Sequence, residues 1–237
     1  MKVAGIDRAI LVPPSWEGER NDVVLAAAQA HPERFAVMGR FDPEAANARD
    51  LVPTWLDQPG MLGLRFTFHR EFQRPLLIEG RVDWLWSQAE KAGVPIMVLV
   101  LQKDLPLIDR VAQQHPGLKL TIDHLALARG KDEVAFAEFD QLLPLAARPN
   151  VAVKASCLAS YTNDAYPYRR LHPYLKRLYE GFGPQRIFWG SDWSRLPCTL
   201  RQSVTMFAEE MPWLSTDDLG WIMGRGLCEW IGWRIEE

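Results

Sequence analysis

The chain has 237 residues, 48% of them apolar, enough for one large barrel or two small domains. Its formal net charge of -3 recommends neither nucleic acid nor an anionic membrane as partner, and pairs such as Arg169-Arg170 read as solvated faces. Nothing reads as a transmembrane run or a signal peptide, and Cys157, Cys198 and Cys228 form no CxxC pair, which argues against a disulfide framework and against a cysteine zinc site. A reduced, cytoplasmic location is the expectation.

In chain order, Met1–Gly5 reads as the end of a helix, stopped at Gly5. Strands are predicted at Ile6–Val12, Phe35–Arg40, Leu62–Phe68, Pro95–Leu101, Leu118–Ile122, Val151–Ala155 and Arg186–Gly190. Between and after them, helices are predicted at Asn21–Ala30, Glu44–Leu56, Val82–Ala92, Leu105–Gln114, Glu133–Ala146, Tyr168–Gly181, Leu200–Glu210 and Thr216–Trp230. Such alternation argues a parallel sheet with helices outside it, in one domain spanning residues 1–237. The fold class is α/β, of the (β/α)8 barrel type, with seven strands where closure takes eight. The expectation is a sheet lacking its first strand, with an open seam between Ile6–Val12 and Arg186–Gly190 that a partner could cover, and marginal stability. Two helix-to-strand junctions echo each other through His-Pro, at His31 and His115. Both histidines sit at a helix C-terminus, where the dipole favours a cation, and read as structural.

In a parallel barrel the chemistry gathers at the C-terminal rim of the strands. Asp192 follows the buried run Ile187-Phe188-Trp189 and Gly190-Ser191, and reads either as a catalytic acid or as a helix cap. His124 ends Leu120-Thr-Ile-Asp-His124 at the same rim, where an imidazole can ligate a metal, bond a carbonyl or move a proton. Asp123 before it is expected to point the other way, into the helix layer. Arg65, inside an apolar strand, needs an anion, either a protein carboxylate or a substrate carboxylate. Lys154 poses the same question, and Ser156 lies on its side of the strand. Arg40 and Asp42 end another strand, and His69 follows one. His172 reads as a helix start. Tyr161, Tyr166 and Tyr168 could close over a ligand or simply pack in their loop. Of ten tryptophans most are expected between helices and barrel, with Trp193 and Trp16 as candidate pocket walls. There is no GxSxG, P-loop or GxGxxG motif.

Taken together, several segments resemble the amidohydrolase-related family, in its branch of 2-pyrone-4,6-dicarboxylate and sugar-lactone hydrolases. They are Ala4–Val12, His31-Pro-Glu-Arg-Phe35, Gly63-Leu-Arg65, Ile122-Asp-His-Leu125, Val153-Lys-Ala-Ser156, Phe182–Trp193 and Met223–Trp233. The resemblance implies a (β/α)8 barrel that hydrolyses lactones or related esters and amides, some relatives being decarboxylases of aromatic acids. It implies that Asp192 activates water or supports a metal. His124 would assist it, and Arg65 and Lys154 would hold anionic substrate. His69, Arg40, Ser156 and Trp193 join them as candidate substrate contacts. A divalent metal such as zinc is implied for intact members, with His124 and Asp192 as ligands wherever one is bound. The family's opening His-x-His is absent from this sequence, Gln102 stands where metal-dependent relatives often carry a histidine, and Ser194 replaces a common proline. Either the sequence starts downstream of that motif or it is a degenerate relative. The expected function is hydrolysis of a small anionic lactone, with a metal-dependent decarboxylase or a non-catalytic binding protein as alternatives. A small-molecule substrate is the expected partner, and a homo-oligomer is left open.

Overall fold

A computed structural model describes residues 1–234. Seven parallel strands lie in sequence order: β1 (Ala9–Leu11), β2 (Phe35–Gly39), β3 (Met61–Phe66), β4 (Ile96–Val98), β5 (Leu120–Ile122), β6 (Val151–Ser156) and β7 (Ile187–Gly190). Helices α1 (Asp22–Ala30), α2 (Ala48–Leu51), α3 (Arg74–Ile78), α4 (Asp83–Ala92), α5 (Leu105–Gln114), α6 (His172–Phe182), α7 (Leu200–Ala208), α8 (Thr216–Gly220) and α9 (Gly226–Ile231) complete the chain.

The register sorts the strand side chains into two faces. Leu64, Ile96, Leu120 and Val151 stand level across four strands and are buried against the helix layer. Arg65, Met97, Thr121 and Ala152 stand level on the opposite, inner face. Strict alternation along each strand then places Asp123 and Lys154 one step higher on that inner face. The floor of the interior is apolar: Met38 and Met97 cluster with Ile231, and Ile10, Leu227 and Trp230 pack against them. The last helix therefore reaches the inner face of the sheet. A cavity of about 450 Å³ lies near the same end, between Met61, Val94, Lys119 and Trp230, away from the strand C-termini.

The two His-Pro junctions behave as expected. The His31 amide closes α1 on the Ala27 carbonyl, and the His115 amide closes α5 on that of Val111. The His115 ring meets Glu90 at 3.0 Å. His172 opens α6, followed by proline at the first turn. Three helix predictions need correction. The helix expected over residues 216–230 divides into α8 and α9 around a π-helical segment, Trp221–Arg225, whose Gly224 leaves helical backbone. Residues 133–146 form short 3-10 turns rather than one helix, because Pro144 interrupts the run and Asp132 before it is left-handed. The helix expected over residues 44–56 shrinks to α2 and a 3-10 segment, Val52–Asp57, around Pro53.

Among the described residues β1 and β7 do not pair, so the sheet has two free edges. The Ala9 amide bonds the Arg34 carbonyl. In a parallel ladder alternate residues share a partner strand, so the Ile10 amide faces the seam. Hydrogen exchange should find the Ile10 and Trp189 amides open faster than that of Met97 in the sheet centre. Equal protection at all three would show that the seam is covered.

Candidate active site

Three neighbouring strands end on a left-handed residue that is not glycine: His124 after β5 (φ 51°), Cys157 after β6 (φ 55°) and Asp192 after β7 (φ 46°). Left-handed backbone costs an L-residue about 1–2 kcal/mol. Such backbone persists only where the surrounding packing holds it in place.

Beneath this rim lies a buried charge group. Asp123, fully buried, receives the Arg65 Nε–H at 2.9 Å through one oxygen and faces the Lys154 ammonium at 2.7 Å through the other. Burial opposes its ionisation, but Lys154 and Arg65 outweigh that and hold the carboxyl well below the usual range. This corrects the expectation for Asp123, which lies inside the barrel and not in the helix layer. It also answers the question posed by Arg65 and Lys154: the anion each of them meets is a protein carboxylate.

His124 sits above this group. Its Nδ1 is 2.7 Å from the Ser156 hydroxyl, and its Nε2 is 3.7 Å from an Asp192 oxygen. Burial, then the Lys154 charge, lowers the imidazole pKa to about 4 against the pull of Asp123 and Asp192, so the ring is neutral. The carboxylate opposite favours the tautomer protonated at Nε2, with Ser156 donating to Nδ1. Asp192 makes no side-chain cap to the turn that follows it, which removes the helix-cap reading.

The remaining candidates surround this centre unevenly. Arg40 is buried at 3% exposure beside Arg65, and burial first, then that neighbour, lowers its pKa to about 10. His69 lies where the Arg70, Arg65 and Arg195 charges reach it; burial, then chiefly Arg70 and Arg65, lowers its pKa to about 4. Arg195 was not anticipated from the sequence; its only signal was a place three residues past Asp192. Trp193 and Trp16 are exposed at 67% and 78%, so neither walls an enclosed pocket. Tyr161 and Tyr168 are buried and Tyr166 bonds Thr205, so the tyrosine loop packs rather than closing over the mouth.

Among the described residues no three His, Cys, Asp or Glu side chains converge as a metal site. His124 and Asp192 offer two donors, while Lys154 and Arg65 bring positive charge to the neighbouring carboxylate. Gln102 is turned toward the Ala135 carbonyl. The residues present do not assemble a complete metal site.

A parallel α/β barrel sheet with a strained, charged C-terminal rim defines the class of protein. A family model described as amidohydrolase matches residues 1–219, and the chain belongs to that family. An L-fucono-1,5-lactonase from Burkholderia ambifaria is 26% identical over 202 residues, covering 80% of this chain and 66% of the relative. A 4-sulfomuconolactone hydrolase from Hydrogenophaga intermedia is 25% identical over 208 residues, covering 81% and 62%. The match thus spans less than two thirds of either relative's length. The crystal structure of an amidohydrolase from Burkholderia multivorans with bound zinc matches with a TM-score of 0.83 at 22% identity, covering 98% of this chain and 85% of that one, a likeness of fold. No helix among the described residues is long and apolar enough to cross a membrane.

Proposed function

We propose that this chain hydrolyses small lactones at the strand C-termini, with Asp192 and His124 as the reacting pair. The observation that carries the reading is an imidazole held at Nδ1 by the Ser156 hydroxyl, 2.7 Å away, with its Nε2 turned toward a rim carboxylate 3.7 Å away. Asp192 takes a proton from water as the water oxygen attacks the lactone carbonyl. The His124 Nε2–H donates to the developing oxyanion. Collapse of the tetrahedral intermediate breaks the ring C–O bond, and the departing alkoxide recovers the proton from Asp192. Arg65, Asp123 and Lys154 form a fixed charge group beneath the oxyanion. The lactonase names of the two relatives support the substrate class.

The test is a panel of five- and six-membered lactones followed by hydroxy-acid formation. Turnover of at least one lactone is expected. Release of CO2 from a hydroxybenzoate, with no lactone opened, would replace this reading with a decarboxylase. Because the His124 pKa lies near about 4, the ring stays neutral at ordinary working pH. The rate profile should therefore show no limb near the ordinary histidine value of 6.5. A limb there that vanishes in His124→Asn would count against the assigned role.

A further inference from the structure

We propose that Arg40 is an anion anchor in the barrel mouth, gripping a substrate carboxylate that lies away from the scissile ester. This deepens the hydrolytic reading and rests on it for the identity of the site.

Arg40 immediately follows β2. Alternation from Met38, which is on the inner face, puts Arg40 on that face beside Arg65. Its backbone is fixed from both sides by Asn21, which accepts the Arg40 amide hydrogen at 2.9 Å and donates to the Arg40 carbonyl at 2.8 Å. Its side chain has no such partners. The guanidinium Nε and Nη2 are both buried and neither has a hydrogen-bond acceptor among the described residues.

Those two atoms are the side-on edge of the guanidinium, the edge that holds both oxygens of a carboxylate. The same pair of atoms grips Asp22 from Arg20, Asp104 from Arg74 and Asp109 from Arg148. Other cations fare differently: Arg65 and Lys154 share Asp123, Arg186 donates to the carbonyls of Ala146, Arg148 and Val151, and Arg70 lacks a partner at Nε alone, its Nη2 reaching Ser15, whereas Arg40 lacks one at both atoms of the fork. Glu19 is close enough for its charge to be felt at Arg40 but forms no ion pair with it. A buried guanidinium keeps its charge, so an unsatisfied fork is a standing cost that a ligand carboxylate removes.

Calorimetric titration with two ketones separates the possibilities: cyclopentanone, and 3-oxocyclopentane-1-carboxylate, which adds only the carboxylate. The protein is expected to bind the carboxylate at least about tenfold more tightly. In Arg40→Met that preference should vanish, with a melting temperature no lower than that of the parent, since an unpaired buried charge has been removed. Arg40→Lys keeps the charge without the fork and should lose most of the preference; if Arg40→Met fails to fold, this variant decides. Undiminished preference in the folded Arg40→Met protein, or in Arg40→Lys where it decides, would overturn the anchor, as would none in the parent. Neither ketone can be hydrolysed, so the two readings fail separately. A protein that opens no lactone yet prefers the carboxylate refutes hydrolysis alone. One that opens lactones without the preference refutes the anchor alone.

Discussion

Asp192→Asn is expected to reduce lactone turnover by about 10²–10⁴-fold, the usual worth of a positioned general base. The substitution keeps the size of the side chain and removes its ability to take a proton from water. It should barely touch the fold. The Asp192 side chain is about one-quarter exposed, caps no helix with its side chain, and stands in left-handed backbone that asparagine adopts at least as readily as aspartate. Stability should therefore stay within about 0.5 kcal/mol of the parent. The check is kcat on a confirmed lactone together with a thermal melt. An Asn variant with parental kcat would remove Asp192 from the chemistry. A large loss of stability would recast it as a structural residue.

The sheet was legible because its strands carry long apolar runs between helices with clear stops. Gly93 closes α4 in left-handed backbone, and the His-Pro pairs close α1 and α5. The region 133–146 was misread for a physical reason. Phe136, Phe139, Leu142 and Leu145 recur at helical spacing and are buried, as a helix would require. The same contacts are met by successive 3-10 turns, whose period of three also returns every third residue to one side. Asp192 and His124 were legible as residues past strand ends, and the structure brings them within 3.7 Å. Asp123 was not legible. Strict alternation sends neighbours to opposite faces, so placing His124 at the rim sent Asp123 outward. The strand ends at Ile122, and the left-handed turn at His124 lets both residues serve the interior. Arg40 was visible as an arginine ending a strand, but the lack of an acceptor at its fork among the described residues depends on neighbours that no local pattern reveals.

Asp123→Asn should be the most destabilising single change at the site. The parent buries one carboxylate between two cations, Arg65 at 2.9 Å and Lys154 at 2.7 Å. Asparagine preserves the volume but leaves two largely buried cations without a counter-charge. Removing one partner of a buried ion pair typically costs about 3–5 kcal/mol. For a chain of this size each kcal/mol lowers the melting temperature by roughly 2–4 °C, so a drop on the order of 10 °C is expected at neutral pH. The pH dependence has a definite sign. Asp123 has a depressed carboxyl pKa, so its stabilisation is present above the ordinary value of 3.8 and is lost as pH falls through the folded value. His124 is also depressed, from 6.5 to about 4, so the unfolded chain takes up that proton first and stability falls as pH drops across this window. The Asn variant lacks the carboxylate loss, so its deficit against the parent should narrow below the ordinary carboxylate value, by less than the full carboxylate contribution because without Asp123 the His124 pKa falls further. Adding Arg65→Met removes one stranded cation and should recover part of the loss at pH 7, because the two positions share a contact and their effects do not add. Melting curves of the parent, the single and the double variant at neutral and acidic pH decide the matter. A single variant melting within a degree or two of the parent would show that Asp123 does not hold this charge group together.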